Sequence, residues 1–218
     1  AKAYSKKGLR KFDYDFFASI YGHPVEVAIV PGKKMPEFSE KLRQVKTVAD
    51  GNRIGFDLGA SDFKISALKN GKVVFSKEFP WDPRNNADPE YHYSMLTAGL
   101  KEAAASLPKV DAIGGSTAGV LVGQKMGLAS LFRAVKEKNP SKFPDAQNMF
   151  YRIEKDWGVP FAVYNDGDVT ALAGMISMGK NGILGVAMGS SEAVGYVDPK
   201  RRMTGRICEL AFAPVDFN

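Results

Sequence analysis

The chain has 218 residues, of which 44% are hydrophobic and 25% charged, an ordinary composition for a soluble globular protein. No apolar run approaches the ~20 residues of a membrane helix, and the basic first residues lack the apolar centre of a secretion signal. A single cysteine, Cys208, excludes an internal disulfide, and with only two histidines (His23 and His92) it is too few for a zinc cluster. We therefore expect a cytoplasmic protein without a membrane partner.

Residues 1–50 form a predicted basic N-terminal extension. They contain ten lysines and arginines against six acidic residues, which places +4 of the formal net charge of +6 in this segment. A basic arm can contact nucleic acid or another acidic partner, whereas the alternative is a solvated extension. No DNA-reading motif is present, so we do not expect nucleic acid as a partner. Within the extension, the pattern predicts a strand over Val25–Val30 and a weak helix from Phe38 to Val48.

From residue 51 the sequence pattern predicts a series of hairpin strands. Predicted strands run over Arg53–Phe56, Phe63–Leu68 and Lys72–Lys77, and Asn70-Gly71 joins the second to the third. Asn-Gly between β-rich runs is a strong hairpin signal, because both central positions of the turn need φ > 0.

The turn of residues 57–61, Asp-Leu-Gly-Ala-Ser, carries a possible chemical function. Gly59 lets backbone amides approach a phosphate closely, and Asp57 stands where a carboxylate can hold hydrated Mg²⁺ beside that phosphate. The alternative is a plain β-hairpin with a surface aspartate, and the motif alone leaves both interpretations open.

The remainder alternates helices and strands, which predicts an α/β fold with a mixed sheet and flanking helices. A strand, turn and strand near Asp57 are echoed near Gly189, as expected for two related half-domains. In chain order, we predict a helix over Tyr91–Ser106, a strand over Val110–Ile113, a strand through Val122, helices over 126–140 and Met149–Trp157, a strand over Val159–Tyr164, a helix over Val169–Met178, and strands over Gly182–Met188 and Ala193–Val197.

Three elements of this pattern combine into one candidate site: the turn at Asp57, the pair Asn165-Asp166 at a strand end, and the turn of residues 189–191. Open α/β sheets bind ligands at the carboxyl ends of their strands. A carboxylate there can take a proton from a substrate hydroxyl, and glycine-rich turns can hold phosphates. The alternatives are a helix N-cap at Asn165-Asp166 and an ordinary turn at 189–191.

From Arg53 to Asn218 the chain resembles the sugar kinases of the ASKHA superfamily (hexokinases, actins and Hsp70 chaperones), most closely the ROK (repressor, open reading frame, kinase) group. Residues 57–64 are similar to the first phosphate motif, Asp-x-Gly-Gly-Thr-Lys, and 115–120 to the sugar-lining segment. Residues 163–173 resemble the Glu-Asn-Asp segment, 184–195 the second phosphate motif, and 205–210 the Gly-x-x-Gly-Glu-Leu segment.

The resemblance implies a ribonuclease H-like (actin-like ATPase) fold, with a first domain over residues 51–164. Residues 165–218 would be the start of a second domain, truncated before its remaining helices. It also implies an ATP-dependent carbohydrate kinase that transfers the γ-phosphate to a sugar hydroxyl. The expected partners are the sugar and ATP, with a homodimer as an open alternative.

Site roles follow from the same resemblance. Asp166 would be the catalytic base, while Asn165, Ser116, Thr117 and Glu209 would bind the sugar. ATP and Mg²⁺ would be the cofactors, with the metal on Asp57. The residues expected to bind the nucleotide are Asp57, Gly59, Ser61, Lys64, Gly189, Ser190 and Ser191.

Several positions depart from the ROK pattern. Ala60 replaces a glycine of the first phosphate motif, Glu192 adds a carboxylate near the second, and Phe212 stands in place of a histidine. A carboxylate near phosphate costs electrostatic energy unless a metal or lysine offsets its charge. Two alternatives therefore stay open: a non-catalytic, sugar-binding regulatory module of the same fold, and a scaffold protein with a vestigial cleft.

Overall fold

The computed structural model describes residues 2–37, 39, 42–45, 50–189, 192–204 and 209–210. The chain divides into two compact units, Ala1–Lys41 and Leu42–Asn218. The second unit contains every predicted site residue that the structure describes. None of the described helices is long and apolar enough to cross a bilayer.

The N-terminal unit contains a helix, α1 (Lys11–Tyr21), which ends at Gly22 in the left-handed conformation with φ of 75°. This helix is not predicted from the sequence, because its aromatic and aspartate-rich run has weak helix propensity. The predicted strand over Val25–Val30 is wrong, since these residues have no regular structure. A strand needs a hydrogen-bonded neighbour, and none pairs with this run among the described residues of the unit.

The second unit consists of strands and helices in alternation. In chain order they are β1 (Arg43–Gln44), β2 (Asn52–Leu58), β3 (Asp62–Lys69), β4 (Lys72–Pro80), α2 (Pro89–Ala104), β5 (Ala112–Thr117), β6 (Val120–Val122), β7 (Lys125–Leu128), α3 (Arg133–Lys138), α4 (Phe143–Gln147), α5 (Met149–Trp157), β8 (Phe161–Asn165), α6 (Asp166–Met178), β9 (Ile183–Met188), β10 (Glu192–Val197) and β11 (Arg202–Met203).

A five-stranded mixed sheet, in the order β4-β3-β2-β5-β8, forms the frame of this unit. Strands β2, β3 and β4 are antiparallel, and the predicted turn between the last two is confirmed, with positive φ at both Asn70 and Gly71. Strands β5 and β8 run parallel to β2, so the carboxyl ends of β2, β5 and β8 meet at one edge of the sheet. The predicted mixed α/β architecture is confirmed.

The core lies between this sheet and its helices. On α2, the side chains of Leu96, Leu100 and Ala103 are fully buried. The helix approaches β3 so closely that a Cβ at Gly99 would lie 2.7 Å from the Ile65 side chain. This contact holds the helix against the central strands of the sheet.

The predicted helix over 126–140 is confirmed only in its second half. Residues Lys125–Leu128 form β7, which pairs with β6 in a short antiparallel hairpin, and only Arg133–Lys138 are α-helical. The hairpin turns at Gly123 with φ of 66°. In the same turn, the Gln124 side chain accepts a hydrogen bond from Val163 N at 2.9 Å, which occupies part of the outer edge of β8.

Strands β9, β10 and β11 belong to a second, antiparallel sheet in the order β1-β11-β10-β9. The predicted β9–β10 hairpin is confirmed, and β9-β10-β11 repeats the consecutive antiparallel arrangement of β2-β3-β4. Strand β1 lies within the segment predicted as a weak helix, so that prediction is wrong at Arg43–Gln44.

Helix α6 packs onto this second sheet through glycines, backbone against backbone. A Cβ added at Gly195 of β10 would lie 2.3 Å from the Gly167 carbonyl oxygen, and one at Gly185 of β9 would lie 2.2 Å from Ala171 N. Real Cβ atoms do not approach other atoms so closely, so these positions require glycine. The first turn of α6 is thereby fixed against the β9–β10 hairpin.

We therefore expect Gly195→Ala to destabilise the protein by about 1–3 kcal/mol, because overpacking forces α6 away from β10. Denaturant unfolding followed by circular dichroism measures this change. Gly55→Ala is the matched control, since Gly55 also lies in a strand but an added Cβ would meet nothing within 4 Å. Equal stabilities of the two variants would contradict the close packing of α6 on β10.

Candidate active site

The turn after β2 presents an exposed carboxylate beside a constrained glycine. Asp57 is exposed near the end of the strand. A Cβ at Gly59 would lie 2.7 Å from the Asp62 carbonyl oxygen, so the tight turn requires glycine there. Trp81 Nε1 donates to the Gly59 carbonyl oxygen at 3.0 Å, and the Ser61 hydroxyl donates to Asp62 at 3.0 Å. These bonds fix the conformation of the turn.

Lys64 lies beside this turn and is surrounded by acidic groups. It is the cross-strand partner of Asp57, and its Nζ lies 2.5 Å from Asp62 Oδ1 and 3.6 Å from Glu78 Oε2. The hydrogen bond with Asp62, followed by the charges of Asp62, Glu78 and Asp57, raises the pKa of Lys64. Lys64 is therefore positively charged next to Asp57. Asp62 is not among the predicted site residues, although its i, i+2 spacing from Lys64 on one strand places the two side chains on the same face.

Asp166 is the first residue of α6 and directly follows β8. Its Oδ1 accepts a hydrogen bond from the buried Ser116 hydroxyl at 3.1 Å, and Ser116 is the register partner of Asp57 on β5. Desolvation by burial raises the pKa of Asp166 to about 6, with the bond from Ser116 opposing the rise and the negative charges of Asp57 and Glu209 adding to it. The carboxylates of residues 57, 166 and 209 are thus close enough to interact.

Asn165 and Glu209 form a buried network beside Asp166, and each is only 6% exposed. Asn165 Oδ1 caps α6 by accepting from Gly167 N at 2.9 Å, while Asn165 Nδ2 donates to Glu209 Oε1 at 2.8 Å. Glu209 Oε1 also accepts from Gly119 N at 2.8 Å. The helix N-cap interpretation of Asn165 is therefore confirmed, and Asp166 lies beside the other acidic groups.

The remaining predicted site residues occupy different positions. Thr117 is fully buried at the end of β5, where its hydroxyl donates to the Ala118 carbonyl oxygen at 3.3 Å. Gly189 is exposed directly after β9. Ser190 and Ser191 lie outside the described residues. The structure thus brings Asp57, Ser116, Asp166, Asn165 and Glu209 into one cluster.

A separate groove of about 260 Å³ lies between α2, α4 and α5 and contains none of the predicted site residues. Two of its charged side chains, Arg152 and Glu90, are paired with each other at 2.6 Å. The Arg152 guanidinium also lies 3.5 Å from the centre of the Tyr93 ring. The cluster at Asp166, and not this groove, carries the shifted carboxyl pKa that marks a candidate active site.

The residues of this cluster fit a Mg²⁺ ion only if the ion is also bound to a nucleotide. No group of three or more histidine, cysteine, aspartate or glutamate side chains within the described ranges could hold a metal. Mg²⁺ bound to a nucleotide usually takes one or two protein carboxylates, and its other ligands are water and phosphate oxygens. The exposed Asp57 carboxylate suits that role, and a cation there would offset its repulsion of Asp166.

No protein-family model matches the chain, and no curated protein matches it. Solved structures do match it. An inorganic polyphosphate/ATP-glucomannokinase from Arthrobacter has a TM-score of 0.57 at 18% identity, with 77% of this chain and 65% of that chain covered. A ROK hexokinase from Thermus thermophilus has a TM-score of 0.52 at 16% identity, with 70% and 47% covered.

A ROK family transcriptional regulator, a homologue of the E. coli MLC protein, also matches, with a TM-score of 0.56 at 20% identity and coverage of 73% of this chain and 39% of that chain. The chain therefore spans less than two thirds of the length of each of these structures. At these identities the likeness shows the fold, which is the ribonuclease H-like, actin-like ATPase fold that ROK sugar kinases and a ROK regulator have. The resemblance inferred from the motifs is confirmed at the level of the fold.

The raised pKa of Asp166 predicts a pH-dependent effect of Asp166→Asn on stability. Because the folded protein binds this proton more tightly than the unfolded chain, ionisation of Asp166 costs folding free energy as the pH rises from about 4 to 6. Above pH 6, Asp166→Asn should be more stable than the wild type by roughly 1–2 kcal/mol, and the gain should vanish near pH 4.

Denaturant unfolding at pH 4.0 and 7.5 measures this difference, with Asp145→Asn, an exposed carboxylate of α4, as the control for loss of a surface charge. A gain of the same size at both pH values would show that ionisation of Asp166 carries no folding cost.

Proposed function

We propose that this protein is an ATP-dependent carbohydrate kinase, in which Asp166 is the general base for phosphoryl transfer to a sugar hydroxyl. The observation that carries the proposal is the position of Asp166. It lies at the carboxyl ends of parallel strands, bonded to Ser116 and close to the exposed carboxylate of Asp57. The fold shared with ROK sugar kinases supports the reaction class, and the sugar, ATP, Mg²⁺ and a cytoplasmic location belong to this proposal.

The pKa of Asp166 suits this role. With a pKa raised to about 6 by burial, Asp166 is mostly ionised at neutral pH but holds a proton more readily than a surface carboxylate. General bases work best with a pKa near the operating pH. The hydrogen bond donated by Ser116 orients Oδ1 and favours the ionised form, so the other oxygen can face the substrate hydroxyl.

The reaction would proceed by direct transfer. Asp166 takes the proton as the sugar oxygen bonds to the γ-phosphorus, and the bond from that phosphorus to the bridging oxygen breaks, releasing ADP. Such transfers depend mainly on positioning and charge stabilisation. Backbone amides near Gly59 and Gly189 would hold the phosphates, with Lys64 and Ser61 beside them. Asp57 would hold Mg²⁺, whose charge offsets that of the phosphates.

Asp166→Ala should lower sugar-dependent ADP release by about 10²–10⁴-fold, the usual contribution of a general base, while sugar binding persists. In the wild type, turnover should fall as the pH drops through about 6, because the base becomes protonated. A coupled ADP assay and calorimetric titration of candidate sugars measure the two quantities, with Asp145→Asn as the control. Unchanged turnover in Asp166→Ala would refute the assignment.

A non-catalytic, sugar-binding regulatory module is the second candidate function. Lys64 is paired with Asp62 and Glu78, and Glu192 places an exposed carboxylate at the start of β10 beside the second phosphate-like turn. The fold is also that of a ROK transcriptional regulator. Sugar binding without any ADP release by the wild-type protein would favour this function over the kinase.

A further inference from the structure

Both N–H groups of the Asn165 side chain are used within the protein. Its two amide N–H groups face the Gly119 carbonyl oxygen at 2.9 Å and Glu209 Oε1 at 2.8 Å, and its oxygen accepts from Gly167 N at 2.9 Å. An amide has only two N–H donors. A sugar hydroxyl could accept a hydrogen bond from Asn165 only after one of these buried bonds broke.

Glu209 links three segments of the fold at this point. Its Oε1 accepts from the backbone of Gly119, in the turn after β5, and from Asn165, at the end of β8. Its own backbone forms a bridge with Ala193 of β10. Glu209 is 6% exposed, and bonds to a charged acceptor are roughly twice as strong as neutral ones. Glu209 thus joins the edge of the first sheet to the second sheet.

We propose that Asn165 and Glu209 are positioning residues for Asp166 and not sugar ligands. Asn165 caps α6, whose first residue is Asp166, and Glu209 holds Asn165 in the capping orientation. The negative charge of Glu209 also disfavours ionisation of Asp166, so the pair controls both the position of the base and its proton affinity. This assignment departs from the sugar-binding roles that the sequence resemblance implies. Its kinetic consequences rest on the proposed kinase function, whereas its structural consequences do not.

Asn165→Asp and Glu209→Gln test the proposal. Asn165→Asp keeps the cap acceptor but loses both donors and sets a carboxylate against Glu209. Asn165→Asp should therefore lower kcat by about 10–100-fold with the sugar KM and Kd within about threefold of wild type. It should also accelerate amide hydrogen exchange at Gly119, because the repelled Glu209 carboxylate no longer holds the Gly119 N–H group. Glu209→Gln keeps an oxygen for Gly119 N, and should shift the acid limb of the pH–rate profile to lower pH because a repelling charge is gone.

The double variant Asn165→Asp/Glu209→Gln tests whether restoring the hydrogen bond between positions 165 and 209 restores activity. The amide introduced at position 209 can donate to the carboxylate introduced at position 165, so the pair bond returns with its direction reversed. We expect kcat of the double variant to be about tenfold or more above that of Asn165→Asp. Amide exchange at Gly119 should be slower in the double variant than in Asn165→Asp. Asn148→Asp is the matched control, since Asn148 is an exposed asparagine preceding α5 and should leave all readouts unchanged.

The outcomes separate this proposal from the kinase assignment. A rise of about tenfold or more in sugar KM or Kd with unchanged kcat and unchanged amide exchange would make both residues ligands and overturn the proposal. If the wild type shows no turnover, faster exchange in Asn165→Asp with an unchanged sugar Kd supports positioning, although the kinase assignment fails. If Asn165→Asp does not fold, Glu209→Gln tests the proposal. The proposal is rejected if the acid limb of the pH–rate profile of Glu209→Gln does not shift. If the wild type has no turnover, the proposal is rejected if Glu209→Gln weakens sugar binding.

Discussion

Parallel pairing of β2, β5 and β8 is the constraint on which the candidate site depends. The register sets Asp57 opposite Ser116 and Thr117 opposite Asn165, so side chains that are distant in sequence emerge at one edge of the sheet. Two crossover connections between these strands make the arrangement possible, and α2 lies in the first of them. A slip of one residue would turn Ser116 to the other face of the sheet and break its bond to Asp166.

The electrostatics of the site follow from this geometry. Asp166 lies where burial and two neighbouring carboxylates oppose its ionisation, while a hydrogen bond from Ser116 partly offsets their effect. Such a site is costly for folding, because a negative charge is held in a desolvated position. The cost is consistent with a functional role, since a base with a pKa near neutrality is more useful in proton transfer than a solvated carboxylate.

Glycines connect this site to the second sheet. Helix α6 begins with Asp166 and then lies directly on the backbones of β9 and β10, because Gly167, Gly185 and Gly195 carry no side chains to separate them. Glu209 makes a second connection through Asn165 and Gly119. A displacement of the second sheet would therefore move the first turn of α6, so the position of the carboxylate depends on both sheets.

Local sequence signals were strong enough to predict several elements of the fold. These were the hairpin at Asn70-Gly71, helix α2 and the β9–β10 hairpin. Each depends on turn chemistry or on a period that neighbouring residues specify. Motif resemblance extended this to the actin-like ATPase fold. Prediction failed where long-range contacts decide: Val25–Val30 lacks a pairing strand among the described residues, and 126–140 contains β7 because Lys125–Leu128 pairs with β6.

The assembly of the candidate site depends on contacts between distant parts of the chain. No local pattern showed that Ser116 would bond Asp166 across 50 positions, or that Glu209 would bind Asn165 and Gly119. The raised pKa of Asp166 likewise depends on burial and on charges carried by other strands. Sequence patterns report interactions between residues a few positions apart. Proton affinities and partner choices instead depend on distances through space, which are fixed only when strands from distant parts of the chain pair.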